Sequence, residues 1–168
     1  GLNSLNGING RFESLPVTQE VSAIIDYAHT PSALAKLLEG CRKIVAGRII
    51  LVFGCGGDRD SEKRPLMGEV ASKGADVNIL TSDNPRGEDA EKIISEIVSG
   101  MTIKPHLIEV DREKAIKAAV NESDSGDLIV IAGRGHEEYQ EIQGNMLPFS
   151  DRAVLQDLIS GSSSLGER

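Results

Sequence analysis

Acids, amides and arginines in this sequence gather in short segments, each of which follows an apolar run. In the segment DNPR, residues 83–86, Pro85 fixes its own φ and favours an extended backbone at Asn84. Asp83 and Arg86 are thereby held in a rigid relation. An Asp accepts hydrogen bonds from an ammonium group, and an Arg offers a planar fork to a carboxylate. The segment suits a zwitterionic amino-acid head, and the alternative interpretation is a turn closed by an internal Asp83–Arg86 ion pair.

A glycine-rich segment, GCGGDRD at residues 54–60, follows another apolar run. Such a segment can cradle a phosphate with its backbone N–H groups, although this one matches neither GxxxxGKS/T nor GxGxxG. Its glycines also allow the backbone to turn tightly over the edge of a sheet. Arg59 lies between Asp58 and Asp60, and it predicts either a surface ion pair or a fork that binds a carboxylate.

Histidines occur in two further segments of the same kind, DYAHTP at 26–31 and AGRGHEE at 132–138. Asp26 and His29 in the first segment fit either a local turn ahead of a helix or a contact with a ligand. The three histidines of the chain are scattered without the spacing of a zinc site. No Ser or Cys occupies a recognisable nucleophile elbow. The residues therefore predict neither a metal centre nor a hydrolase triad.

Periodicity predicts the elements that position these segments. Continuous apolar runs predict strands at 21–26, 48–54, 76–82, 106–110 and 127–133. Helical spacing predicts helices at 31–44, 64–73, 88–99, 111–120 and 150–159, the first of them capped by Thr30 with Pro31 at its first position. The segment EYQEIQGNMLPFS, residues 138–150, predicts a hairpin that turns at Gly144-Asn145.

The alternation of strands and helices predicts a single α/β domain. We expect a Rossmann-like, doubly wound and mostly parallel sheet with a C-terminal β-hairpin. Right-handed crossovers place the carboxyl ends of parallel strands along one edge of the sheet. Because every segment described above follows a predicted strand, we expect all of them to meet at that edge.

The bulk composition excludes several classes of partner. The 168 residues carry a formal net charge of -8, which disfavours nucleic acid and anionic membrane surfaces. Tryptophan is absent and aromatic residues are few, so bases have no stacking platform. The two cysteines, Cys41 and Cys55, have no metal-binding spacing and predict reduced thiols in a cytoplasmic protein. No signal peptide and no apolar run of membrane-spanning length is present in this sequence.

The order of the motifs resembles the C-terminal domain of the Mur ligases. The resemblance rests on DYAHTP, on FGCGGDRD followed by KRPLMG, on TSDNPRGED, and on AGRGHE followed by YQ, and it covers residues 7–160. NGINGRFE resembles the segment that leaves the family's central ATPase domain. The resemblance implies such a segment at 1–20, an amino-acid-binding domain at 21–160 and a disordered tail at 161–168.

The resemblance implies an ATP-dependent amide ligase of peptidoglycan synthesis. Such an enzyme would add meso-diaminopimelate to UDP-N-acetylmuramoyl-L-alanyl-D-glutamate through an acyl phosphate. The domain would bind the diamino acid and close over ATP, while ATP and Mg²⁺ would be held mainly by the central domain, without which this chain would be inactive. Diaminopimelate would be bound by Arg59, Asp83, Asn84, Arg86, Gly133 and Glu137. Arg11, Asp26 and His29 would face the nucleotide, and no residue of this chain would be catalytic.

Two positions depart from the family's pattern. Arg134 stands where the family usually has Lys, which keeps the charge and changes the donor geometry. Phe12 stands where Met is usual, which is a change in packing. Two alternatives to a ligase domain are a stand-alone module that binds an amino acid or a nucleotide, and a non-catalytic Mur-ligase-like domain that binds other proteins.

Overall fold

The computed structural model describes residues 11–165, and of residues 162–165 only the backbone. The predicted segment NGINGRFE and the end of the predicted tail therefore lie partly outside the described residues. The elements in chain order are β1 (Glu13–Pro16), β2 (Ser22–Asp26), α1 (Pro31–Ile44), β3 (Ile49–Phe53), α2 (Lys63–Gly74), β4 (Val77–Leu80), α3 (Ala90–Val98), β5 (Leu107–Ile108), α4 (Arg112–Glu122), β6 (Leu128–Ala132), β7 (Tyr139–Ile142), β8 (Asn145–Pro148) and α5 (Asp151–Leu165).

Six strands form one sheet in the order β1-β2-β6-β3-β4-β5. The strands from β2 to β5 pair in parallel, and β1 runs antiparallel to β2 along one side. The chain steps outward from β3 to β4 to β5, and it then returns so that β6 lies between β2 and β3. Strands β7 and β8 form a separate antiparallel hairpin. The predicted doubly wound, mostly parallel sheet with a C-terminal hairpin is confirmed.

Helices cover both faces of the sheet because the inner strands are apolar on both sides. In β3, Ile49, Leu51 and Phe53 pack with α1, α2 and α3 on one face. The alternate residues Ile50 and Val52 pack with α4 and α5 on the other face. All five residues are fully buried. Continuous apolar runs are what a strand buried on both faces requires.

Side-chain caps fix where three of the helices begin. The hydroxyl of Thr30 accepts a hydrogen bond from the Ala33 N–H, at 3.2 Å, at the start of α1. Asp89 and Asp111 accept equivalent bonds at the starts of α3 and α4. Each bond satisfies a backbone donor that has no partner within its own helix. The starts predicted from Thr30 and Asp111 are confirmed.

Several boundaries differ from the predicted ones. The sequence of β1 shows no hydrophobic periodicity, and this strand forms through backbone pairing with the edge of β2. The hairpin turns at Gln143 and Gly144, which both have positive φ, one residue earlier than predicted. Helix α5 continues to Leu165, past the predicted end at Ile159 and into the predicted tail. Strand β5 is shortened to two residues, because only one of its sides is paired.

Candidate functional site

A polar cleft of about 420 Å³ opens at the carboxyl edge of the sheet. Its walls come from the segments that follow β2, β3, β4 and β6, as the alternation of elements predicts. The lining residues are Tyr27, His29, Thr30, Gly54, Cys55, Gly56, Arg59, Asp60, Lys63, Asp83, Asn84, Arg86, Gly133 and Glu137. The cleft thus brings together all six residues predicted to bind an amino acid, and His29 with them.

Asp83 lies at the floor of the cleft with only 7% of its surface exposed. Burial raises the pKa of its carboxyl group, and the positive charges of Arg112 and Arg134 oppose that shift. Gly133 has a φ of +114°, and a Cβ added there would lie 2.6 Å from the Asp83 Oδ2 atom. Only glycine lets the backbone pass so close to this carboxyl group.

Arg86 contacts the neighbouring segments rather than Asp83. Its Nη1 donates a hydrogen bond to the Gly57 carbonyl at 2.9 Å, and its Nε lies 3.5 Å from the Glu141 carboxylate. The Arg86 N–H also donates to the Glu141 carbonyl, at 2.9 Å, and the backbone has a φ of +51°. The alternative interpretation, a turn closed by an internal Asp83–Arg86 ion pair, is therefore wrong, and Arg86 is held in place by the hairpin and by the glycine-rich segment.

Asn84 links the floor of the cleft to Glu137 on its wall. The Asn84 Nδ2 donates a hydrogen bond to Glu137 Oε2 at 2.9 Å. The Asn84 Oδ1 accepts hydrogen bonds from Arg134 Nη1, at 3.1 Å, and from the Glu141 N–H, at 3.0 Å. Asn84 is buried and Glu137 is half-buried. The two predicted site residues therefore form one hydrogen-bonded unit.

The glycine-rich segment packs directly against the DNPR segment. The Gly57 N–H donates to the Asn84 carbonyl at 2.7 Å, and the Asp58 N–H donates to Glu88 Oε1 at 2.7 Å. These amides already have protein partners, which argues against a free-standing phosphate cradle. Arg59 is exposed at the rim and donates to the Asp58 carbonyl at 3.2 Å. No salt bridge joins Arg59 to another described residue, so its guanidinium remains available to a ligand.

Arg64 is a buried residue that the sequence analysis did not single out. It donates to Glu88 and to Glu96, and its Nη2 also donates to the Gly56 carbonyl at 3.0 Å. The Arg64 hydrogen bonds, helped by the Asp58 N–H, lower the pKa of Glu88 to about 2. Arg64 therefore clamps the glycine-rich segment to the segment that carries Arg86.

A second unforeseen arginine, Arg112, lies under the floor of the cleft. It forms a two-pronged ion pair with Asp151, with N–O distances of 2.7 and 2.9 Å, and both side chains are fully buried. It also donates to the carbonyls of Ser82 and Ala132, at the carboxyl ends of β4 and β6. The guanidinium thus ties together the two strands that deliver Asp83 and Gly133.

The three residues predicted to face the nucleotide do not all meet in the cleft. The Asp26 carboxylate accepts the N–H groups of Phe12, at 2.7 Å, and Ala28, at 2.8 Å, so it shapes the local turn. Arg11 is exposed beside Phe12. His29 is exposed, and its Nδ1 lies 2.9 Å from the Tyr27 carbonyl. Asp26 and Arg11 therefore lie beside the cleft rather than on its lining.

The remaining chemical candidates are inert in this structure. Cys41 and Cys55 are buried free thiols, and burial raises the pKa of each to about 12, so both stay protonated at neutral pH. Among residues 11–165, no group of three or more His, Cys, Asp or Glu is arranged to hold a metal ion, and we assign Mg²⁺ to none of them. None of the described helices combines the length and the apolar character needed to cross a bilayer.

Comparison with known proteins gives consistent matches over the chain. The model of the family "Mur ligase, glutamate ligase domain" matches residues 10–135. UDP-N-acetylmuramoyl-L-alanyl-D-glutamate–2,6-diaminopimelate ligase from Aquifex aeolicus is 49% identical over 161 residues, which cover 95% of this chain and 33% of that protein. The ligase of the same name from Clostridioides difficile is 47% identical, over 95% of this chain and 34% of that protein. The chain spans about a third of the length of these relatives.

A solved structure of a ligase with the same name superposes with a TM-score of 0.87 at 41% identity, over 95% of this chain and 33% of that one. The FolC protein of E. coli, solved with ADP, has a TM-score of 0.60 at 20% identity over 94% of this chain, which shows a shared fold alone. The chain belongs to the Mur ligase family and corresponds to its C-terminal, glutamate ligase domain.

Proposed function

We propose that this chain is the amino-acid-binding domain of an ATP-dependent ligase that adds meso-diaminopimelate to UDP-N-acetylmuramoyl-L-alanyl-D-glutamate in peptidoglycan synthesis. The observation that carries the proposal is the cleft itself, which gathers two acids, Asp83 and Glu137, and two arginines, Arg59 and Arg86, around one opening. The diaminopimelate ligases that share 47–49% of its residues support the same substrate. Those relatives are all ligases, which favours this function over a stand-alone binding module or a protein-binding domain.

The charges of the cleft match those of a diamino dicarboxylic acid. Asp83 and Glu137 offer oxygen acceptors to an ammonium group. Arg86 and Arg59 offer planar forks to carboxylates. Within the described chain, Arg86 Nη2 makes no hydrogen bond, although Nη1 and Nε have partners. The Arg86 guanidinium is therefore oriented by the protein and still has donors for a ligand.

The same geometry selects against lysine. Diaminopimelate carries a second carboxylate at the end where lysine has none. We propose that Arg86 and Asn84 bind this carboxylate, while Asp83 accepts the ammonium group at the same end of the molecule. A bound lysine would leave the partly buried Arg86 without its partner. In a site built to bind a particular polar group, a substrate that lacks this group is disfavoured on the order of 10⁴-fold in kcat/KM.

The nucleotide and the metal ion belong to the rest of the proposed enzyme. ATP would supply the phosphoryl group that activates the substrate carboxylate for attack by the amine of the amino acid. We propose that this domain orients that amine and excludes water as it closes. Arg11, Asp26 and His29 would face the nucleotide from their position beside the cleft. We propose that the enzyme acts in the cytoplasm, since ATP and a UDP-linked substrate are its proposed reactants.

The test is a substrate comparison in the full-length protein. Purified enzyme is supplied with ATP, Mg²⁺, the UDP-linked dipeptide and either meso-diaminopimelate or L-lysine, and release of ADP is followed together with the mass of the product. We expect ligation with meso-diaminopimelate and a far lower kcat/KM with lysine. Equal use of the two amino acids, or turnover with neither, would overturn the proposal.

A further inference from the structure

Arg134 is a fully buried arginine that lies directly behind the cleft. Its Nη1 donates a hydrogen bond to Asn84 Oδ1 at 3.1 Å. Its Nη2 donates to the carbonyls of Tyr139 and Phe149, both at 3.1 Å, and its guanidinium carbon lies 5.1 Å from the centre of the Phe149 ring. Because its side chain has no exposed surface, Arg134 cannot touch a ligand directly and acts through the residues it holds.

The amide of Asn84 has only one orientation that its neighbours accept. Its oxygen faces two groups that can only donate, namely the Arg134 guanidinium and the Glu141 N–H. Its nitrogen faces the Glu137 carboxylate, which only accepts. A rotation of the amide by half a turn would set donors against donors and an oxygen against a carboxylate. Each such mismatch leaves a buried polar group unpaired, which is strongly unfavourable.

The count of donors and acceptors determines what Asn84 can offer to a ligand. An amide oxygen accepts two hydrogen bonds, and both are taken by Arg134 and Glu141. The amide nitrogen donates two, and one is taken by Glu137. What remains is a single N–H donor. Since a donor pairs with an acceptor, the ligand group beside Asn84 must be a carboxylate or a carbonyl and not an ammonium group.

We infer that Arg134 is a positioning residue that fixes the amide of Asn84 with its N–H toward a ligand carboxylate and directs the ammonium group to Asp83 and Glu137. The inference rests on the proposed function and assigns polarity within its cleft. Arg134 thereby determines which residues contact the carboxylate of the bound amino acid and which contact its ammonium group. Without Arg134, only the Glu141 N–H and the Glu137 carboxylate hold the orientation of the Asn84 amide, so that orientation is less strongly fixed.

A purely structural role for Arg134 predicts a different behaviour. Its bonds to Tyr139 and Phe149 also hold the hairpin, so loss of the side chain alone would lower stability and affect every substrate together. A positioning role acts on diaminopimelate specifically and only while Asn84 is present. Interaction between two residues that act as a unit appears as non-additive effects in a double-mutant cycle.

The experiment uses the full-length enzyme with Arg134→Gln, Arg134→Lys, Asn84→Ala and the double variant Arg134→Gln/Asn84→Ala. We expect Arg134→Gln to raise the KM for meso-diaminopimelate by roughly tenfold to a hundredfold, as loss of a charged hydrogen bond does, with the KM for ATP unchanged. Arg134→Lys keeps the positive charge and a long side chain with a donor for the Asn84 oxygen, whereas Gln is shorter and uncharged, so the Lys variant should recover most of this loss. The double variant should be no worse than Asn84→Ala alone. Arg42→Gln, an exposed change far from the cleft, should leave both constants unchanged.

Additive effects of Arg134→Gln and Asn84→Ala on the KM for meso-diaminopimelate would overturn the inference. An Arg134→Lys enzyme as impaired as Arg134→Gln would also overturn it. If Arg134→Gln does not fold, Asn84→Asp provides the test, because it keeps an oxygen for Arg134 and replaces the N–H with another oxygen. We expect it to raise the KM for meso-diaminopimelate at least as much, and an unchanged KM would overturn the inference. A wild-type enzyme that fails to use meso-diaminopimelate overturns the proposed function and this inference with it, whereas additivity in an active enzyme overturns the inference alone.

Discussion

Asp83 is a buried acid at the floor of the cleft. Its carboxyl group receives no hydrogen bond from any residue of the described chain, and burial raises its pKa despite the nearby arginines. A bound ammonium group would supply the partner that is missing. Its burial therefore lowers the stability of the domain at neutral pH and leaves an acceptor for an ammonium group, a trade-off common in binding sites.

We predict that Asp83→Asn stabilises the folded chain at neutral pH. A raised pKa in the folded state means that Asp83 contributes to stability at low pH, and this contribution is lost as the pH rises through its pKa. At pH 7 the neutral Asn should therefore raise the free energy of unfolding, by on the order of 1 kcal/mol. The difference from wild type should shrink below about pH 4, where an ordinary Asp is protonated as well.

Chemical denaturation of the two chains at both pH values measures this difference. The same change should sharply raise the KM for meso-diaminopimelate in the full-length enzyme, because the ammonium group loses a charged acceptor. The surface change Asp124→Asn is the control, since that side chain is 87% exposed, and it should alter neither quantity. A destabilised Asp83→Asn at pH 7 would contradict this account of Asp83.

The β7–β8 hairpin is the element that orders the DNPR segment. Its buried Gln140 donates to the Ser82 hydroxyl, at 2.8 Å, and to the Asp83 carbonyl, at 2.6 Å. The hairpin also exchanges backbone hydrogen bonds with Arg86 through Glu141 and Gln143. The cleft therefore depends on a hairpin that contributes no residue to its lining.

The contacts of Gln140 predict that its loss weakens both the fold and the binding of meso-diaminopimelate. Gln140→Ala removes a buried donor and leaves two acceptors unpaired, so we expect a loss of about 1–3 kcal/mol in the free energy of unfolding. It should also raise the KM for meso-diaminopimelate, because the backbone beside Asp83 loses its support. Met146→Ala is the matched control in the same hairpin, since Met146 is 60% exposed, and it should change neither property. Denaturation together with steady-state kinetics provides both measurements, and equal behaviour of the two variants would contradict the role given to the hairpin.

The pattern of elements was predictable from the sequence because each strand–helix unit carries its own periodicity. The positions of Asp83, Arg86 and Gly133 at one sheet edge followed from the alternation alone. The contacts that order them did not follow from it. The hairpin was recognisable from its turn, but no local signal indicates that it docks on the DNPR segment, since the hydrogen bonds of that contact join residues 57 positions apart.

The burial of three arginines could not be predicted from the sequence, for a related reason. Arginine is mostly exposed in proteins, so Arg64, Arg112 and Arg134 read locally as surface residues. The structure buries all three, because their partners come from distant segments. Their burial depends on tertiary packing, which no local pattern in the sequence indicates.

The six-stranded sheet of the whole molecule positions the segments that follow β2, β3, β4 and β6 around one cleft. Arg64 ties the segments that follow β3 and β4, and Arg112 ties the carboxyl ends of β4 and β6. Buried ion pairs of this kind contribute little net stability, but removing one partner is costly. We interpret them as contacts that hold the cleft in shape.

The central claim is that Arg86 binds the carboxylate that distinguishes diaminopimelate from lysine. The measurement that tests it most directly is the KM for meso-diaminopimelate of Arg86→Ala in the full-length enzyme, with Arg86→Lys beside it and Arg42→Ala as the control. We predict a rise of roughly a hundredfold for Ala and a partial rise for Lys, which keeps the charge but not the fork, with the KM for ATP unchanged in all three. An Arg86→Ala enzyme with the wild-type KM for meso-diaminopimelate would contradict the claim.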